Sequence, residues 1–187
     1  EAVLEGADGV FAALAPGSLI IDCSTIAPAV ARRLAARAAE LGSAMIDAPV
    51  SGGEVGAKSA SLSIMIGGDA PAVERARPVL EAMGNKERIV HIGPSGSGQL
   101  CKVCNQMVIG GTLAAVSEAF ALARKAGVDP ARVRTVLLGG FASSRVLDAH
   151  GERILNSNYV PGFRTRLFAK DLGIAADTLA EYQTPAP

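Results

Sequence analysis

Short apolar runs alternate with helical stretches through the first half of the chain, and strand signals stop near residue 93. That alternation constrains the fold more than any other feature. Runs rich in aliphatic residues fall at 18–22, 44–47, 62–66 and 88–92, and the first two end in aspartate. Helical patterns lie between them at 28–41 and 71–83, with a shorter one at 7–14. Pro16-Gly17, Gly42 and Gly67-Gly68 punctuate the series. Strands separated by helices of this length predict an open, mostly parallel sheet of the α/β class.

From residue 99 the texture is helical only. One long helix is predicted over 99–126, running through Gly110-Gly111 and stopped by Gly127. Asp129-Pro130 supplies an N-cap and a proline at the first position of the next helix. Helices are predicted at 130–138, 143–155 and 164–183. The run Gly93-Pro94-Ser95-Gly96-Ser97-Gly98 marks the change. Two domains are therefore expected, an α/β domain over 1–94 and an all-α domain over 95–187.

Composition narrows the function classes. Hydrophobic residues make up 49% and charged residues 19% of the chain, the balance of a folding sequence and not of a disordered one. Eighteen basic residues against eighteen acidic ones leave no net charge, so neither a nucleic acid nor an anionic membrane is an expected partner. No uninterrupted apolar run approaches the ~18 residues of a membrane span. Aromatics are only 4% and Trp is absent, so the core must be aliphatic and alanine-rich. Three cysteines are an odd number for a disulfide framework, which points to a reducing, cytoplasmic setting. Cys101 and Cys104 have C-x-x-C spacing, but their flanks read as helix. His91 and His150 are too far apart in sequence to complete a zinc set, and no metal is expected. The apolar faces of the long helix and its neighbours exceed what so small a helical domain buries alone, which favours a homo-oligomer. The opening Glu1 in place of Met, and the end soon after a helical pattern, suggest a fragment.

Four constellations carry polar chemistry. Asp22-Cys23-Ser24-Thr25-Ile26-Ala27-Pro28 sits where a strand gives way to a helix, and ligands of open α/β sheets bind off carboxyl strand ends. From local sequence alone, simple helix capping is the stronger reading of it. Asp47-Ala48-Pro49-Val50-Ser51-Gly52-Gly53 also follows a strand. Its glycines let backbone N–H groups approach a carboxylate, although an ordinary glycine-rich turn has the same composition. Lys102, Asn105 and Gln106 share one face of the long helix, among Val103, Met107 and Val108. Desolvation and the helix dipole would lower the pKa of such a lysine toward the range useful for proton transfer. A lysine snorkelling from a half-exposed face is the alternative. Lys170-Asp171 interrupts an apolar helical segment and, taken alone, reads as a surface ion pair. The glycine run at 93–98 lacks a glycine at 101 and precedes the all-α part, so it is not a pyrophosphate loop.

Taken in order, these motifs strongly resemble the β-hydroxyacid dehydrogenase family. The likeness rests on Asp22-x-Ser24-Thr25-x-x-Pro28, Asp47-Ala-Pro-Val-Ser51-Gly52-Gly53, Gly96-x-Gly98-x-x-x-Lys102-x-x-Asn105-Gln106 and Phe163-x-x-x-Leu167-x-x-Lys170-Asp171-Leu172. It covers nearly the whole chain. The stretches at 51–54, 101–106 and 137–142 resemble its branch acting on tartronate semialdehyde, with the 3-hydroxyisobutyrate branch next. The resemblance implies a partial Rossmann-type parallel sheet followed by an all-α domain with a long interdomain helix, as in 6-phosphogluconate dehydrogenase. It implies hydride exchange between NAD or NADP and a small carboxylate-bearing substrate. Lys102 matches the catalytic lysine, and Ser51, Gly52 and Gly53 match the substrate-carboxylate loop. Asn105 and Gln106 match substrate-positioning groups, while Thr25 and Lys170 match cofactor-side positions. The family's opening strand, Gly-x-Gly-x-x-Gly turn and helix have no counterpart in these residues. The 187 residues alone are therefore expected to show little or no turnover. A non-enzymatic binding or assembly module on the same scaffold is the competing class, against which a desolvated lysine argues.

Overall fold

The computed structural model describes residues 1–185. The last two positions of the expected helical domain, 186 and 187, lie outside the described residues. The strands are β1 (Leu19–Asp22), β2 (Ala44–Asp47), β3 (Val50–Ser51), β4 (Leu62–Gly67) and β5 (Gly84–Gly93). The α-helices are α1 (Ala2–Glu5), α2 (Pro28–Glu40), α3 (Gly53–Lys58), α4 (Ala70–Met83), α5 (Ser97–Lys125), α6 (Pro130–Leu138), α7 (Arg145–Leu155) and α8 (Thr165–Glu181). They form two compact units. One comprises Glu1–Cys104 together with the chain from Ala169 onward, and the other comprises Asn105–Phe168.

The first unit is built on a five-stranded sheet. β1 and β2 are parallel and in register from Leu19↔Ala44 to Asp22↔Asp47, so two aspartates end neighbouring strands. β4 and β5 are the second parallel pair. Between them the chain reverses. β2 and β3 follow one antiparallel register along β4, from Asp47↔Gly67 to Ser51↔Ser63, broken only at Ala48-Pro49. The reason is length: a parallel crossover needs about a dozen residues or more, usually with a full helix. The connection from β3 to β4 carries only the six-residue α3.

Side-chain alternation in the strands buries both faces. Ile46, Ile64 and Ile66 meet Ala72, Val73, Ala76 and Leu80 of α4. Met45, joined by Ile20, meets Leu34 and Ala38 of α2 on the other. Helices on both faces of the sheet fit the α/β class that the alternating pattern predicts, but with two parallel and two antiparallel pairings the sheet is mixed where a mostly parallel one was expected. Two local expectations shift. The helical stretch expected at 7–14 is only a single 3₁₀ turn at Val10–Ala12, because Gly9 makes poor helix interior, and the short α1 precedes it. The strand expected at 88–92 starts earlier, at Gly84, where a Cβ would come within 2.8 Å of the Leu62 carbonyl oxygen.

The second unit contains most of α5 with α6 and α7. Val116 and Phe120 pack with Leu147, flanked by Leu137, Leu138, Ile154 and Leu155. Asp129 caps α6 by accepting from the Ala131 N–H at 2.9 Å, and Ser144 caps α7 through the Leu147 N–H at 2.9 Å. By length and composition α5 is apolar enough to cross a bilayer. It nonetheless carries Gln99, Lys102 and Gln106 as buried polar side chains.

Candidate active site

The carboxyl ends of β1 and β2 hold the chemistry. Asp47 is 2% exposed and faces the start of α5. Its Oδ1 accepts from the Gly96 N–H at 2.7 Å and its Oδ2 from the Gln99 N–H at 2.9 Å. The strand-end aspartate is thus a helix cap placed far away in sequence, satisfying donors that the first turn leaves open. The fit is close. A Cβ on Gly98 would lie 2.4 Å from the Met65 carbonyl oxygen, and one on Gly67 would lie 2.5 Å from Asp47 Oδ1.

Gln99 is completely buried. Its Nε2 donates to the Ser24 carbonyl at 2.8 Å, and its Oε1 accepts from the Ile26 N–H at 3.2 Å. The Ser24 N–H donates to Asp22 Oδ1 at 2.9 Å. Lys170 Nζ donates to the Thr25 carbonyl. The loop carrying Thr25 is therefore gripped from both sides. Lys170 also pairs with Asp171 Oδ1 at 3.0 Å, and Asp171 is itself buried.

Lys102, 8% exposed, reaches the Val50 carbonyl with its Nζ at 2.8 Å. Val50 immediately precedes Ser51, Gly52 and Gly53. Ser51 ends the antiparallel run opposite Ser63. Gly52 and Gly53 have φ of 135° and 62°, so the chain turns there through a region that favours glycine. A Cβ on Gly53 would meet nothing within 4 Å, which leaves that backbone open to approach. Burial pulls the Lys102 pKa below its ordinary 10.5. Asp171 opposes that shift and Lys170 adds to it. Desolvation, not the helix dipole, is the leading cause.

Lys170 and Thr25 are thereby joined directly, and Lys102 is joined to the neighbour of Ser51. Asn105 and Gln106 lie beyond Lys102 on α5, in the second unit, where Asn105 Nδ2 donates to Gln106 Oε1 at 2.7 Å. The cysteines are free. The Cys23 thiol is pushed up by burial and then by Asp22, and Cys101 by burial and then by Cys104, the opposite of an activated nucleophile. Sequence reasoning passed over Asp47 as a cap and Gln99 altogether. Gln99 had one available signal, an amide a single helical turn before Lys102 and on the same side.

Two family models match the chain almost end to end. Residues 1–93 match the NAD binding domain of 6-phosphogluconate dehydrogenase, and residues 96–187 match the NAD-binding of NADP-dependent 3-hydroxyisobutyrate dehydrogenase. The chain is 48% identical to 2-hydroxy-3-oxopropionate reductase of Escherichia coli (strain K12), over 94% of this chain and 59% of that protein. It is 41% identical to 3-hydroxyisobutyrate dehydrogenase of Pseudomonas aeruginosa, over 100% of this chain and 64% of that protein. Among solved structures, Mycobacterium tuberculosis 3-hydroxyisobutyrate dehydrogenase with L-serine superposes with a TM-score of 0.86 at 40% identity, covering 95% of this chain and 62% of that one. The chain thus spans about three-fifths of the length of these relatives. An α/β sheet followed by helices, a buried lysine on the strand end before Ser-Gly-Gly, and these matches have one common explanation: the chain belongs to the β-hydroxyacid dehydrogenase family, of the 3-hydroxyisobutyrate dehydrogenase-like kind.

Proposed function

We propose that the full-length protein is an oxidoreductase that interconverts a small semialdehyde bearing a carboxylate with the corresponding hydroxyacid, using NAD or NADP. The observation that carries this reading is Lys102, a buried ammonium with a lowered pKa beside the Ser51–Gly53 turn. The residues present suit one edge of a dinucleotide site. The Ser24–Ile26 loop lies at the carboxyl end of β1 with its backbone fixed, and the half-exposed Lys170 cation stands beside it. The dinucleotide, when bound, supplies or accepts the hydride.

The chain's own residues account for the remaining chemistry. Ser51 and the Gly52 and Gly53 amides hold the substrate carboxylate and so fix its orientation. Lys102 stands by the carbonyl oxygen, stabilises the negative charge that develops there and hands over its proton. Asn105 and Gln106 position the substrate's polar groups, while Thr25 and Lys170 face the cofactor. Residues 1–94 serve the dinucleotide side and 95–187 the substrate and assembly side. Tartronate semialdehyde, reduced to glycerate, is the first-choice substrate, supported by 48% identity to the E. coli reductase. A 3-hydroxyisobutyrate-type substrate is the second, supported by the 41% identical P. aeruginosa enzyme. Free cysteines suit the cytoplasm. Exposed Val108, Leu122 and Val136 on α5 and α6 support a homo-oligomer.

Lys102→Ala in the full-length protein tests the assignment. Turnover is expected to fall by ~10²–10⁴-fold, the usual contribution of a positioned acid. Dinucleotide affinity should barely change. Near-native kcat would refute the role. Comparing kcat/KM for the two semialdehydes decides the substrate.

A further inference from the structure

We propose that Gln99 is a positioning residue that fixes the Ser24–Ile26 loop to the start of α5, so that the cofactor-side loop and Lys102 share one rigid mount. The inference deepens the reading above and rests on it for the loop's role. Its structural half stands alone. Gln99 is completely buried, and both ends of its amide are used on one short loop, the Nε2 donating to the Ser24 carbonyl and the Oε1 accepting from the Ile26 N–H. Its own backbone N–H is spent on Asp47. One residue therefore joins the ends of two neighbouring parallel strands, β1 through Ser24 and Ile26 and β2 through Asp47. It does so one helical turn from the lysine.

The amide is specific to this task. A buried primary amide must satisfy both a donor and an acceptor, and here each faces a complementary backbone group. An apolar residue of the same length would leave the Ser24 carbonyl and the Ile26 N–H without these partners. Lys170 would still hold the Thr25 carbonyl between them. The loop would then keep only the Lys170 bond and the local Ser24–Asp22 bond, two tethers in place of four, and the backbone around Thr25 would loosen.

Gln99→Met, close in length and shape, is the test in the full-length protein. Amide hydrogen exchange without ligand is the first readout. Ile26 protection is expected to fall by about tenfold, the order expected when a buried hydrogen bond is lost. Ile64 and Ile66, in the sheet core, should keep their protection. The second readout is kinetic. KM for the dinucleotide should rise by about tenfold, while KM for the semialdehyde stays within about twofold, because the Ser51–Gly53 turn is held by other contacts. Unchanged Ile26 protection overturns the proposal. So does an equal fall at Ile26 and Ile64, which marks general destabilisation, or a loosened loop with both KM values unaltered. Failure of the oxidoreductase reading would look different: the wild-type protein would show no dinucleotide-dependent turnover of either semialdehyde while the Ile26 result stood.

Discussion

A lysine whose ammonium is stripped of water, with a carboxylate and a second ammonium as electrostatic neighbours, has a pH profile whose sign can be worked out. Lys102 in the folded chain releases its proton below the ordinary 10.5. In the proposed mechanism, reduction needs that proton in place. The kcat for reduction should therefore fall as pH rises through the lowered value, and the kcat for oxidation should rise over the same span. Lys102→Arg, permanently charged, should abolish the limb in both directions; stopped-flow or steady-state pH series check it. Stability follows the same linkage. Between the lowered value and 10.5 the unfolded chain binds more protons than the folded one, so folding stability gains as pH rises across that window. Against Lys102→Met, the wild-type melting temperature should climb over that range. The lysine's unusual setting was legible in the sequence, because a cation among Val103, Met107 and Val108 has few comfortable places. Its acceptor was not legible, since nothing in the spacing places Val50 beside it.

Secondary-structure elements depend here on contacts between distant residues. The start of α5 is capped by Asp47 from the end of β2, not by a residue next to it. Asp47→Ala would remove two charge-assisted hydrogen bonds and strand two N–H groups, with an expected loss of about 2–4 kcal/mol in chemical denaturation. Gly98→Ala, whose Cβ would crowd the Met65 carbonyl and Asp47, should lose about 2–4 kcal/mol. Gly111→Ala in the middle of the same helix meets open space and should gain about 0.5–1 kcal/mol. The opposite signs separate close approach from helix propensity. The existence and extent of α5 were plain from its pattern, as were β1, β2 and β4 in their apolar runs. Its cap was hidden, because local sequence reports periodicity and composition but not which strand end meets which helix. The reversal at β3 was missed for a related reason: two residues are too few to show alternation.

At the scale of the molecule, the two units have separate cores, and damage to one should register there first. Phe120→Ala, which empties a fully buried ring site against Val116 and Leu147, should remove about 3–5 kcal/mol. Native-state hydrogen exchange should show the loosening across 105–168 before the β2 and β4 amides respond. The α/β class of the first unit was readable because strands and helices alternate at regular intervals. The grouping of α8, from Ala169 onward, with the sheet was not, since helical periodicity says nothing about which neighbour a helix joins. The Lys102–Val50 contact has a further consequence for selectivity. At rest, the proposed proton donor is latched to the same strand end that leads into the proposed carboxylate turn. A substrate that pulls on that turn also tugs the latch, so recognition of the acid group and release of the proton are geared together. An aldehyde shorn of its carboxylate should then react slowly even at saturation, failing in kcat as well as in KM.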